Sequence, residues 1–249
     1  MEAQHRLLVN TTWEMNFEYV KQRSPAAAFM MQVAAFLESE NIPIDVINPG
    51  CPELEQEELR ECMRSNFDIV ALLKVLSCYS LFSVDHQVKV FSVHKLVQEV
   101  VRDSLTTKQR VETLVAATRL LLSSLKAKIS GTCVKFKYST LSNLSELKEE
   151  ERRLVIVLIL NVRKLKNHIQ EEIDSPHLDE KSTRFLCSDK LADLCLTAKS
   201  IISNNVFFHN VNSELCDFVF KIKEMRGSND PVYLLGLMVN ASIVKRPCA

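Results

Sequence analysis

Residues 81–105 read Leu81-Phe-Ser-Val-Asp-His-Gln-Val-Lys-Val-Phe-Ser-Val-His-Lys-Leu-Val-Gln-Glu-Val-Val-Arg-Asp-Ser-Leu105. The spacing of the apolar residues in this segment changes once, at His94. Before His94, apolar and polar residues alternate on both sides of a short turn at Asp85-His-Gln87, which is the pattern of a β-hairpin. After His94, apolar residues recur at helical spacing. The segment therefore predicts a small hairpin followed directly by an amphipathic helix.

Three helices are predicted upstream of this hairpin. Ser24-Pro25 is a strong start signal, because serine caps helices and proline is favoured at the first helical position. The residues from Ala26 to Leu37 are apolar on nearly every side, which indicates a helix buried among neighbours, and Ile42-Pro43 is expected to end it. An acidic helix is expected at about 53–64, and apolar spacing predicts another over 67–78.

The second half is predicted to be a series of helices. Thr106-x-x-Gln109 has the form of a capping box, and apolar residues at three- and four-residue steps extend this helix to Gly131. A loop is expected over 131–143. Further helices are predicted over 144–173, 178–202, 210–226 and 231–244, separated by proline, asparagine or glycine breaks.

The composition excludes several classes of protein. The chain has 249 residues, and its four glycines supply neither a P-loop nor a dinucleotide-binding loop, which argues against a self-contained nucleotide-binding enzyme. The net charge is zero, but residues 1–105 carry 9 basic and 15 acidic side chains and residues 106–249 carry 22 and 16. This asymmetry favours two units with different surfaces.

The cysteines and the apolar runs indicate a cytoplasmic chain. None of the eight cysteines forms a C-x-x-C pair, and several lie in apolar helical surroundings typical of reduced, buried thiols. The start of the chain lacks the features of a signal peptide, and the apolar runs are shorter than a membrane helix. We therefore expect no membrane association.

Three short motifs occur in an order that is characteristic of a known family. They are Phe36-Leu-Glu-Ser-Glu-Asn-Ile-Pro43, Tyr79-Ser-Leu-Phe82 and Phe91-Ser-Val-His-Lys-Leu-Val-Gln98, with Trp13 upstream of them. Together they resemble the winged-helix region of NB-ARC, or STAND-type, proteins that carry C-terminal tetratricopeptide arrays. The resemblance covers about residues 11–105. It extends only loosely to 106–249, where Asn167-His-Ile169 matches a short motif before the repeats and no clean repeat is found.

The resemblance implies a specific role for His94. In the family, the histidine at this position approaches the phosphates of bound ADP and helps to hold the resting state. The family's P-loop and its magnesium-binding aspartate have no counterpart here, so the resemblance implies a fragment or a truncated relative. ADP or ATP would then bind only through an upstream domain, and the chain itself would require no cofactor.

Simpler interpretations of these residues remain open. His94 is also explained as a capping or packing residue beside the hairpin. A metal site at His168 and Cys195 is not expected because zinc sites generally use closely spaced ligand pairs, and catalysis is not expected because no nucleophile signature is present. Basic residues do cluster in the second half, where a solvated or partner-binding face is the simpler interpretation (Lys135, Lys137, Arg163, Lys164 and Lys166).

These observations predict a mainly α-helical protein with a winged-helix unit at 11–105 and a helical, degenerate tetratricopeptide-like unit at 106–249. The expected function is that of a non-catalytic regulatory and protein-interaction module within a nucleotide-switched signalling or assembly protein. One alternative is a stand-alone α-helical scaffold. A weaker one is a nucleic-acid-binding winged helix, which the negative charge of the first half disfavours, since only Lys95 and Arg102 lie on its candidate recognition helix.

Overall fold

The computed structural model describes residues 15–47, 60, 66–79, 82–132, 149–202 and 209–226. Within them, residues 15–23 form a short helix, and eight further α-helices follow: α1 (Pro25–Ala34), α2 (Asn66–Cys78), α3 (Lys95–Ser104), α4 (Thr107–Thr132), α5 (Glu149–Ile173), α6 (Glu180–Leu186), α7 (Asp189–Ile202) and α8 (His209–Arg226). Three strands complete the fold: β1 (Ile42–Pro43), β2 (Phe82–Asp85) and β3 (Val90–Val93). This mainly helical chain with a small antiparallel sheet confirms the predicted fold class.

Several predicted features lie outside the described residues. They are Trp13, the acidic helix at 53–64 apart from residue 60, the loop at 131–143 apart from residues 131 and 132, which belong to α4, and the last helix at 231–244.

Helix α1 is the buried centre of the first half. Ser24 caps it by accepting a hydrogen bond from the Ala27 amide at 3.2 Å, and Pro25 is its first residue, as the sequence predicts. Its alanine, methionine and valine side chains are almost fully buried, and the helix packs against α2, α3 and α4. The prediction that Ile42-Pro43 ends this helix is wrong, because α1 ends at Ala34 and Pro43 belongs to a strand.

The sheet has one strand more than the predicted hairpin. Strands β2 and β3 form the hairpin, with Phe82 opposite Val93 and Asp85 opposite Val90. After α1 the chain turns at Asn41, whose φ is 56°, and this left-handed turn returns it so that β1 pairs antiparallel with β3. The strand order is therefore β1-β3-β2.

The second half is a helical array centred on α4. This helix packs against α1 on the first half and against α5, α6 and α7 on the second, while α8 packs on α7 and α5. The predicted single helix over 178–202 is wrong, since α6 ends at Leu186 and α7 begins at Asp189. Leu186, Cys187 and Leu191, which flank this break, are all buried in the core.

One hydrophobic core joins the two halves. A single cluster of buried side chains contains residues of α1, the sheet and α3 together with residues of α4, α5, α7 and α8. The proposed boundary near residue 105 coincides with the two-residue step between α3 and α4, and it stays a prediction. None of the helices in the described residues has the length and hydropathy needed to cross a membrane.

Candidate functional site

His94 lies at the junction between the β2–β3 hairpin (82–93), which we call the wing, and α3, where it caps the helix. Its Nδ1 accepts a hydrogen bond from the Leu96 amide at 3.2 Å, and its backbone is extended. Because Nδ1 is the acceptor, the proton of the neutral imidazole must lie on Nε2. The side chain is exposed, so that Nε2–H is free to donate to a group outside the chain.

An open groove of about 730 Å³ runs beside His94 across the outer face of the sheet. It is rich in hydroxyl groups and carries one charge of each sign; its lining consists of Ser39, Glu40, Ser77, Phe82, Ser83, Ser92, Val93, His94 and Lys95. Two of the hydroxyls serve the fold, since Ser92 Oγ accepts from the Asn41 amide at 3.1 Å and Ser77 Oγ donates to the Leu73 carbonyl at 2.8 Å. With the imidazole and the Lys95 ammonium, the groove offers several donors to an oxygen-rich ligand.

The inner face of α3 is tied to the rest of the protein by polar side chains. Gln98 is 2% exposed, and Arg102 donates to the Ala35 carbonyl at the end of α1. Burial lowers the pKa of the Arg102 guanidinium. Of the two cations that the nucleic-acid interpretation requires, only Lys95 therefore faces outward, and it shares that outer face with the exposed acidic residues Glu99 and Asp103.

The structure does not bring His168 and Cys195 together as a metal site. His168 Nδ1 lies 3.1 Å from Glu171 Oε2, and its ring packs edge-on against Phe36. Cys195 is buried in the helical array, and this burial raises the pKa of its thiol to about 12. Across the ranges that the structure describes, no three histidine, cysteine or acidic side chains lie together as metal ligands would.

The basic cluster on α5 is used in internal contacts. Arg163 forms two hydrogen bonds to Glu214 of α8, at 2.7 and 2.9 Å, and these bonds lower the pKa of that carboxyl. Lys166 lies 3.9 Å from the same carboxylate, with its ammonium 5.8 Å from the centre of the Phe218 ring. Lys135 and Lys137 lie outside the described residues.

Sequence reasoning missed the two buried polar residues that join the halves, Gln98 and Asn161. Asn161 is fully buried, and its Oδ1 accepts a hydrogen bond from the Glu38 amide at 2.8 Å. A polar residue within an apolar stripe was the only available signal, and it does not reveal the partner.

A family model matches the first part of the chain. A family model described as a domain of unknown function (DUF7779) matches residues 17–110, which include α1, the sheet and α3. No curated protein and no solved structure matches the chain. The matched range closely follows the predicted winged-helix unit, and the description of the family names no activity.

Proposed function

We propose that this chain is a non-catalytic regulatory and protein-interaction module of a nucleotide-switched protein. In this proposal the winged-helix unit, about residues 11–105, packs on an ATPase core. The helical array at 106–249, with its degenerate tetratricopeptide-like helices, supplies the surface for protein partners. The resemblance of the motifs around His94 to NB-ARC proteins supports the first part.

The observation that carries the proposal is that the two ring nitrogens of His94 have different surroundings. One nitrogen is committed to capping α3, and the other is exposed beside a groove of hydroxyl groups and Lys95. A phosphate oxygen is a strong acceptor for such donors. Helix α3, which follows His94, is held to α1 by the hydrogen bonds of Gln98 and Arg102. Contact between His94 and a nucleotide would therefore act on a rigid element.

The test is calorimetric binding of ADP to the 249-residue chain and to a longer chain that carries an upstream nucleotide-binding domain. We expect only the longer chain to bind, and His94→Ala to weaken binding by about 1 kcal/mol or more, the scale of a hydrogen bond to a charged group. His94→Asn is the informative partner, because asparagine restores the helix cap without restoring the imidazole N–H. His86→Ala, on the exposed turn of the wing, is the control.

The sensor role requires that both His94 variants lose ADP affinity and that His86→Ala keeps it. If His94→Asn binds ADP as the unmodified protein does, His94 is only a cap. If the longer chain does not bind ADP at all, the proposal fails.

A stand-alone α-helical scaffold is the second candidate, and the continuous core across both halves favours it. A nucleic-acid-binding winged helix has less support, because Glu99 and Asp103 on the outer face of α3 would approach the phosphates. The free thiols of Cys187 and Cys195 in the core support a cytoplasmic setting.

A further inference from the structure

The C-terminal end of α1 is satisfied by side chains from two other helices. The last carbonyls of a helix have no partner within it, and a buried end needs donors from elsewhere. Gln98 Nε2 donates to the carbonyl oxygens of Ala34 and Leu37, at 2.8 and 3.1 Å, and Arg102 donates to that of Ala35. Helix α3 thus caps α1.

Helix α5 joins the same cluster from the second half of the chain. Asn161 Oδ1 accepts the hydrogen bond from the Glu38 amide at 2.8 Å, and Lys164 Nζ donates to Gln98 Oε1 at 3.4 Å. We call these four side chains, Gln98, Arg102, Asn161 and Lys164, the Gln98 network. Gln98 is its centre, because its amide nitrogen bonds to α1 and its amide oxygen bonds to α5.

The network lies on the same helix as His94. His94 caps α3 four residues before Gln98, and Gln98 and Arg102, again four residues apart, lie along one side of the helix. Gln98 is almost fully buried, so a shift of α3 would leave carbonyl groups at the end of α1 without the donors that α3 supplies.

We infer that the Gln98 network couples the winged-helix unit to the helical array, so that a displacement of α3 at His94 reaches α5. The nature of the signal at His94 rests on the proposed function. The coupling itself does not, and the 249-residue chain is sufficient to test it.

Hydrogen exchange read by mass spectrometry tests the coupling directly. Gln98→Met keeps the length of the side chain and removes the amide. We expect exchange to become about 10-fold faster at residues 34–38, in α3 and at 155–165 of α5, the change that corresponds to about 1.4 kcal/mol. Exchange in α7 and α8 should be unchanged. Lys164→Met, which removes only the bond from α5, should accelerate exchange in α5 alone and by a smaller factor.

The matched control is Thr118→Val. Thr118 is buried, and its hydroxyl donates to Leu114 within α4, so this variant removes a buried hydrogen bond that joins no two elements. Uniform acceleration in Gln98→Met, as in a merely less stable protein, would overturn the inference. So would unchanged exchange at 155–165. If Gln98→Met does not fold, the response of α5 in Lys164→Met decides the question.

A second arm separates this inference from the proposed function. In the longer chain with a nucleotide-binding domain, ADP should protect 155–165 from exchange in the unmodified protein. Gln98→Met should abolish that protection while leaving ADP affinity within about 2-fold. Protection of α5 that persists in Gln98→Met refutes the coupling, whereas absence of ADP binding in the unmodified protein refutes only the proposed function.

Discussion

Replacing Asn161 with alanine should cost the protein a large share of its stability. The Asn161 side chain is fully buried, and its Oδ1 accepts the 2.8 Å hydrogen bond from the Glu38 amide. Its Nδ2 donates to the Val157 carbonyl one turn earlier in α5, at 2.8 Å. That carbonyl lies within a regular helix, where its backbone partner remains, so the Glu38 amide is the group that loses most.

The expected magnitude has three parts. A buried amide left without an acceptor costs about 1–3 kcal/mol. The missing side-chain atoms leave a cavity of roughly 30 Å³, which adds about 0.7 kcal/mol at ~24 cal/mol per Å³. Alanine is a better helix former than asparagine and returns roughly 0.5 kcal/mol.

Asn167→Ala is the matched control, because Asn167 is exposed on the same helix and gains the same helix propensity. The assay is urea unfolding of both variants, followed by circular dichroism at the helix band. We expect the free energy of unfolding of Asn161→Ala to lie about 2–4 kcal/mol below that of Asn167→Ala, because the gain in helix propensity cancels. A difference under about 0.5 kcal/mol would refute the reasoning, because the bond between the halves would then contribute nothing measurable.

Three further predictions concern titration, reactivity and ion pairing. Burial and the nearby Arg102 lower the pKa of His168 in the folded protein from its ordinary value of 6.5. As the pH falls, this imidazole is therefore protonated in the unfolded chain before it is protonated in the folded protein. The contribution of His168 to the free energy of unfolding should be complete above about pH 6.5 and should decrease as the pH falls towards the lower folded pKa, by at most about 1.4 kcal/mol per pH unit. In urea titrations, His168→Gln should reduce this dependence on pH. The thiol of Cys195, with its pKa raised to about 12, should resist iodoacetamide until the protein unfolds, whereas the exposed Cys78 reacts in the folded state. Labelling of Cys195 in peptide maps before unfolding would show that this thiol is not buried. A double-mutant cycle on Arg163 and Glu214 should give a coupling of about 0.5–1 kcal/mol that decreases in 1 M salt, since both side chains are partly exposed, and a coupling insensitive to salt would argue against an ion pair.

Local signals were sufficient for most of the helices and for the wing. The serine and proline at 24 and 25, the change of period at His94 and the capping box at Thr106 all act within a few residues, and the structure shows each of them. The capping role of His94 is also visible as a local hydrogen bond to Leu96.

Local signals failed where a distant part of the chain decides the outcome. The third strand exists because Asn41 turns the chain back onto β3, about fifty residues later, and no pattern within residues 36–43 contains that information. The early end of α1 has the same kind of cause, since side chains of α3 meet its last carbonyls. The break between α6 and α7 reflects the need to bury both helices against α4 and α5.

The sequence by itself determined that this is a helical chain with one small antiparallel wing and without a phosphate-binding loop of its own. Those properties depend on residue type and on periods of two or 3.6 residues, which are fixed before the chain folds. Only the tertiary structure decided that Gln98 and Asn161 join the two halves. The bonds from Lys164 to Gln98 and from Glu38 to Asn161 link residues more than sixty positions apart, and a buried amide finds such a partner only after the helices have packed.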